Sequence, residues 1–171
     1  MTVKTISLSK DEIKELVSKN WITHDAMWFY HCLQEFGIEK TNQLNKAAIR
    51  DMSAIEIRRI HKAMGSPPIS TFDEFQHFFD AAMEIATGKF MKYKYSSPSQ
   101  NLIHGEWDSC FAHEGMKALG VADRYECGVL LRINTWFDTM GIKFELKPNL
   151  AGCLMHTDGK CAWDYRFFFD K

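Results

Sequence analysis

The sequence predicts an α+β fold, with an N-terminal helical layer packed on a C-terminal four-stranded, mainly antiparallel sheet that carries two helices between its hairpins. Three observations point there. Up to Gly88, apolar residues recur at helical spacing behind Ser/Thr-x-x-Glu capping boxes; beyond Gly88 the period falls to two; and the last stretch alternates large aromatics with small or charged residues. A length of 171 residues suffices for one compact unit, divided into a helical subdomain, 1–88, and an α+β subdomain, 89–171.

Ser9-Lys-Asp-Glu12 is a capping box that opens a short first helix carrying Ile13, Leu16 and Val17. Thr23 caps a second, with Ile22 and Met27 as its hydrophobic staple, and Gly37 closes it. A third helical stretch runs from about Glu39 to Met64, where Ser53-Ala-Ile-Glu56 forms another capping box and predicts a kink or a helix junction. Thr71-Phe-Asp-Glu74 caps a helix whose Phe72, Phe75, Phe79, Ala82 and Met83 form one apolar stripe. Phe90 to Tyr95 then alternates, Ser96 to Ser99 reads as a turn, and Asn101 to Trp107 runs back as the second strand of a hairpin. Helices follow from Asp108 to Leu119 and from an Asp123 cap to about Met140. Lys143 to Lys147 is a strand. Thr157-Asp158-Gly159 turns the chain into the final strand, which places Cys161, Trp163, Tyr165, Phe167 and Phe169 on one face and Ala162, Asp164, Arg166 and Phe168 on the other.

Composition narrows the function. A net charge of −1 gives no reason to expect nucleic acid or an anionic membrane as partner, and no apolar run reaches the roughly 18 residues of a spanning helix. The opening Met1-Thr-Val-Lys-Thr-Ile6 lacks the apolar core of a signal peptide, so the expected location is cytoplasmic. Five cysteines in such a chain are expected as thiols that pack, bind metal or do chemistry.

Three constellations carry candidate chemistry. His24, Trp28, His31 and Glu35 share one face of a helix and read as a pocket wall, with His24 as proton carrier or ligand, Asp25 closing the site beside it, and Trp28 and His31 against a substrate; the alternative is that His24 and Asp25 decorate the first turn. Cys110, His113 and Glu114, at i, i+3 and i+4, suit either a thiolate nucleophile or a metal ligand set, while a buried cysteine is also an ordinary small apolar residue. Cys127 and Asn134 share a face of the next helix, and an asparagine in an apolar helix needs a partner, a ligand or the backbone. His104 and Glu106 widen this candidate site, while Cys153 and His156 are assigned to the turn.

Cys110 followed by Met116-Lys-Ala-Leu-Gly120, then Cys127, and finally Gly159-Lys-Cys-Ala-Trp-Asp-Tyr-Arg-Phe167 resemble the L-2-amino-thiazoline-4-carboxylic acid hydrolase-like family of bacterial proteins, over about Lys89 onward. The first half, with Trp21-Ile-Thr-His-Asp-Ala-Met-Trp-Phe29, is similar to a group of uncharacterised bacterial cytosolic proteins. The resemblance implies an α+β domain and hydrolytic opening of a small cyclic amidine-like ring. The chain departs from the family pattern at Cys110-Phe-Ala-His113 and at Asn134, where an acidic residue is expected.

Two functions are therefore expected as alternatives. One is a small-molecule hydrolase in which Cys110 and His113 act with His24 and Asp25, Arg166 holds a substrate carboxylate, and Cys110, Cys127 and Cys161 bind a divalent metal, zinc, manganese or iron, if one is present. The other is a non-catalytic binding module with aromatic walls from Trp28, Trp107, Trp136 and Trp163. Both take a small-molecule ligand, and homo-oligomer formation stays open.

Overall fold

The structure, a computed structural model, describes residues 7–150 and 152–169; the opening Met1 to Ile6 lies outside them. Among the described residues the order is α1 (Lys10–Ala63), α2 (Phe72–Ala86), β1 (Lys92–Ser99), β2 (Leu102–Ser109), α3 (Phe111–Ala118), α4 (Gly128–Thr139), β3 (Lys143–Lys147), α5 (Leu154–Thr157) and β4 (Cys161–Phe168). The strands form one antiparallel sheet in the order β1-β2-β4-β3, so the final strand is central. The fold is α+β, as predicted.

Local chemistry sets the helix starts. Ser9 and Glu12 form the expected reciprocal cap of α1, and Thr71 and Glu74 that of α2. Gly37 breaks α1 with φ 74° and ψ 172°, a conformation that a side chain would strain. The two arms fold back on each other there. Arg132 reaches both Trp21 and Glu56, which would lie about 50 Å apart along a straight helix.

Two expected boundaries inside these arms are absent. Thr23 is not a cap: helix continues through it, and its hydroxyl donates to the Lys19 carbonyl at 2.8 Å. No kink occurs at Ser53 either, where the buried hydroxyl donates to the carbonyl of Ile49 at 2.5 Å and Glu56 turns to Arg132 instead. The β1–β2 reversal lies at Gln100 and Asn101, the latter with φ 61°, because the strand runs on through Ser99. The helix expected from Asp123 starts only at Gly128. The segment before it is held by the buried Asn42, whose amide donates to the Arg124 carbonyl at 2.8 Å and accepts from the Glu126 N–H at 3.3 Å.

One face of the sheet is apolar and covered by α2 and α4. Phe75 meets Phe167 at 4.5 Å between centroids, Phe137 stands edge-on to Tyr165 at 5.0 Å, and Phe79 meets Tyr95 at 5.3 Å. Cys161, Trp163, Tyr165 and Phe167 alternate inward as expected, and residues from both sides of Gly88 share this core. The opposite face is solvated, with Lys94 paired to Glu106 at 3.0 Å and His104 to Asp164 at 2.8 Å. α1 lies along α4. Glu56 fastens them, accepting from the Nε and Nη2 of Arg132 at 2.8 and 2.5 Å and from Trp136 Nε1 at 3.0 Å, while the guanidinium lies 5.1 Å from the Trp21 ring.

Two outcomes on stability follow. A Cβ on Gly105 of β2 would sit 2.2 Å from the Trp163 ring, its cross-strand partner, so Gly105→Ala is expected to lower stability by about 1–3 kcal/mol in urea unfolding. Glu56→Ala strands the half-buried Arg132 and the Trp136 N–H and is expected to cost about 2–3 kcal/mol in the same measurement.

Candidate functional site

The fold-back of α1 leaves a cavity of about 310 Å³ between its two arms and the C-terminal half. Residues equidistant from Gly37 face it from opposite arms, Ile22 with Met52, Asp25 with Ile49 and Phe29 with Asn45. The remaining wall comes from Met83 of α2, Trp107 of β2, Phe111 and Met116 of α3, and Tyr125, Arg132 and Trp136 beside or within α4. The lining is thus mainly apolar and aromatic, with few polar groups, the composition of a small-molecule site.

Its charges are unequally balanced. Arg132 is neutralised by Glu56 in the two-pronged pair. Asp25 stands at the cavity mouth, solvent-accessible yet crowded by protein, and desolvation raises its carboxyl above the ordinary value against the smaller lowering pull of His24 and Arg132. The Trp107 indole N–H, in the wall, is buried without an acceptor among the described residues.

Behind that wall is a second void of about 10 Å³, which shares Trp107, Ala112, Tyr125 and Val129 with the large cavity. Cys110, Cys127, Cys153 and Cys161 all line it, together with His113. Cys110 stands at the N-cap of α3 and Cys127 at that of α4, each beside the first amides of its helix but making no side-chain capping hydrogen bond. Burial nonetheless dominates, raising the Cys110 thiol above its ordinary value and pushing Cys127 up to about 11 and Cys161 up to about 12. Among the described residues no three His, Cys, Asp or Glu side chains already stand as a metal-holding set.

The expected site residues are divided by this geometry. Cys110, Cys127, Cys161 and His113 come together, and Cys153, which the sequence reading gave to the turn, joins them. His113 pairs with Glu114 at 3.3 Å. Asp25 reaches the large cavity, but His24, Trp28 and His31 are exposed on the outer side of the arm, Trp28 at 63%. The adjacent apolar stripe faces inward instead, since burying Ile22 and Phe29 gains more than burying imidazoles. Asn134 has its partner in the core, accepting from the Tyr165 hydroxyl. Arg166, His104 and Glu106 lie on the solvated face of the sheet, opposite the cavity. Of the four expected tryptophan walls, Trp107 and Trp136 line the cavity, whereas Trp163 packs in the core against Tyr165 at 5.0 Å. Trp21, Arg132 and Tyr125 are not among the residues singled out from sequence; Arg132 has Trp136 four residues on in the same helix, but its other partners, Trp21 and Glu56, lie far off in the chain.

The raised Asp25 carboxyl has a definite consequence for stability. Its folded pKa exceeds the unfolded value of about 3.9, so ionisation opposes folding, and that cost is absent below the unfolded pKa and complete above the folded one. Asp25→Asn is therefore expected to raise the melting temperature at pH 7, by no more than about 4 °C because solvent screens the mouth. The gain should vanish below about pH 3.5.

Among the described residues no helix is long and apolar enough to cross a membrane. No curated protein matches the chain. Residues 5–91, just over half of the 171 and spanning both arms of α1 together with α2, match the model of a family of unknown function, and the chain belongs to that family, DUF6125.

Proposed function

We propose that the protein binds a small, largely flat and apolar molecule carrying a cationic, amidinium-like group in the 310 Å³ cavity. The observation that carries this reading is the Asp25 carboxyl at the mouth of an aromatic cavity whose one other charged lining residue among those described, Arg132, is neutralised by its pair with Glu56. A bound amidinium would donate to Asp25, its ring would lie among Trp21, Phe29, Phe111 and Trp136, and an acceptor on it would satisfy the Trp107 N–H.

A hydrolytic form of the same reading is favoured by the raised Asp25 carboxyl and by the resemblance to a family that opens cyclic amidines. A carboxylate brought closer to neutral pH is a better general base. In that form Asp25 takes a proton from water as the water oxygen bonds to the amidine carbon, and the ring C–N bond then breaks with the proton delivered to the leaving nitrogen. Cys110 is a weaker choice for the nucleophile, because burial raises its thiol and the His113 imidazole is turned to Glu114.

Benzamidine and 2-aminothiazoline are suitable probes, followed by titration calorimetry with the full chain and by chromatography for ring-opened product. Benzamidine should bind, benzoate should not, and Asp25→Asn should weaken binding roughly tenfold or more. Binding should also weaken as falling pH protonates Asp25. Equal affinity for benzamidine and benzoate, or no binding of either, would sink the cationic-ligand reading, and binding without turnover of 2-aminothiazoline would remove only its hydrolytic form.

A further inference from the structure

Four of the chain's five cysteines come from four separate segments, the β2–α3 junction, the start of α4, the approach to α5 and the start of β4, and all line one void. The rest of the lining is apolar apart from His113 and Tyr125, and offers no carboxylate.

We propose that Cys110, Cys127, Cys153 and Cys161 together bind one soft divalent cation, zinc or iron(II), in a closed tetrathiolate site that the ion itself assembles. An all-sulfur set selects such ions over manganese, which prefers oxygen ligands. The void, about 10 Å³, has room for one atom-sized ion and none for a four-iron cluster. No three of these side chains stand ready-made around an ion among the described residues, so the thiols must turn inward to reach metal–sulfur distances of about 2.3 Å. On binding, four S–H bonds give way to four metal–sulfur bonds, four protons pass to solvent, and no electron moves. Cys110 and Cys127 stand at the N-caps of α3 and α4, where the positive end of the helix dipole stabilises the resulting thiolates. With all four positions filled by protein, the site is structural: it ties β4 to the starts of α3 and α4 directly behind the wall of the large cavity.

This inference is independent of the cavity ligand, since amidine binding can persist in a metal-free chain and metal binding in a chain that takes up no amidine. The test is elemental analysis of the full chain purified anaerobically from zinc- and iron-supplemented medium, with Co²⁺ titration of the metal-free protein. About one zinc or iron per chain is expected, and Co²⁺ should give sulfur-to-cobalt charge transfer with the intense visible bands of a tetrahedral thiolate. Cys153→Ser should lose most of the metal and Cys32→Ser should keep it. A chain that purifies without metal and takes up no Co²⁺ overturns the proposal, as does Cys153→Ser retaining the metal as fully as Cys32→Ser. If Cys153→Ser does not fold, the wild-type cobalt spectrum decides: a pale octahedral spectrum without charge transfer refutes the site.

Discussion

The constraint on which the structure depends is the backbone of Gly37. At φ 74° and ψ 172° it stops a helix that otherwise has every reason to continue, and the chain resumes helical geometry at once in the opposite direction. Without that reversal, 54 residues of α1 would extend about 80 Å, far beyond anything the remaining chain could cover. With it, the two arms bury Phe29 and Ile38 on one side and Ile57 and Ile60 on the other, and a cavity opens in the crotch between them. A single left-handed residue thus converts a rod into a site.

The reversal alone would leave two arms free to splay. What fixes their angle is a polar cluster in an otherwise apolar setting: Glu56 of the second arm gathers three donors from α4, and the guanidinium among them stacks near Trp21 of the first arm. A half-buried ion pair adds little net stability over apolar packing, yet its geometry is exacting, and it sets position where hydrophobic contact would tolerate sliding. It also removes the positive charge of Arg132 from the cavity's balance. Asp25 is left as the charge that a ligand would meet, so one interaction sets both the shape and the electrostatic sign of the site.

Much of this was legible in the sequence, and the failures share a physical cause. The caps at Ser9 and Thr71, the break at Gly37 and the inward alternation of β4 are decided within a few residues, and each stands as read. Ser53 to Glu56 carries the same motif as those caps, but there helix continues, the hydroxyl bonds back to Ile49 and the carboxylate serves a residue 76 positions away. Asp123 failed as a cap because Asn42, more than eighty residues earlier, holds that segment in irregular backbone. The site divides in the same way. Asp25 and three of the cysteines were visible as residue types in suggestive places, whereas the cavity itself is assembled from five elements whose meeting no local pattern records.

The two voids share a wall, and this bears on how the site is built. Trp107, Ala112, Tyr125 and Val129 face the apolar cavity on one side and the cysteines on the other. Tyr125 is anchored by its own hydroxyl, which accepts the Gly128 N–H at 3.0 Å, and Gly128 lies so close to α1 that a Cβ there would stand 2.4 Å from Ile49. The start of α4 is thereby clamped between the long helix and the cysteine cluster. Whatever tightens the cysteines draws the starts of α3 and α4 toward β4, and both carry residues of the cavity wall, Phe111 and Ala112 on one and Val129 and Arg132 on the other. The central strand therefore approaches the cavity wall through its first residue, Cys161, rather than through the outward-facing charges of its middle. The aromatic residues that follow hold it in the core, and the cysteine at its start connects that core to the site.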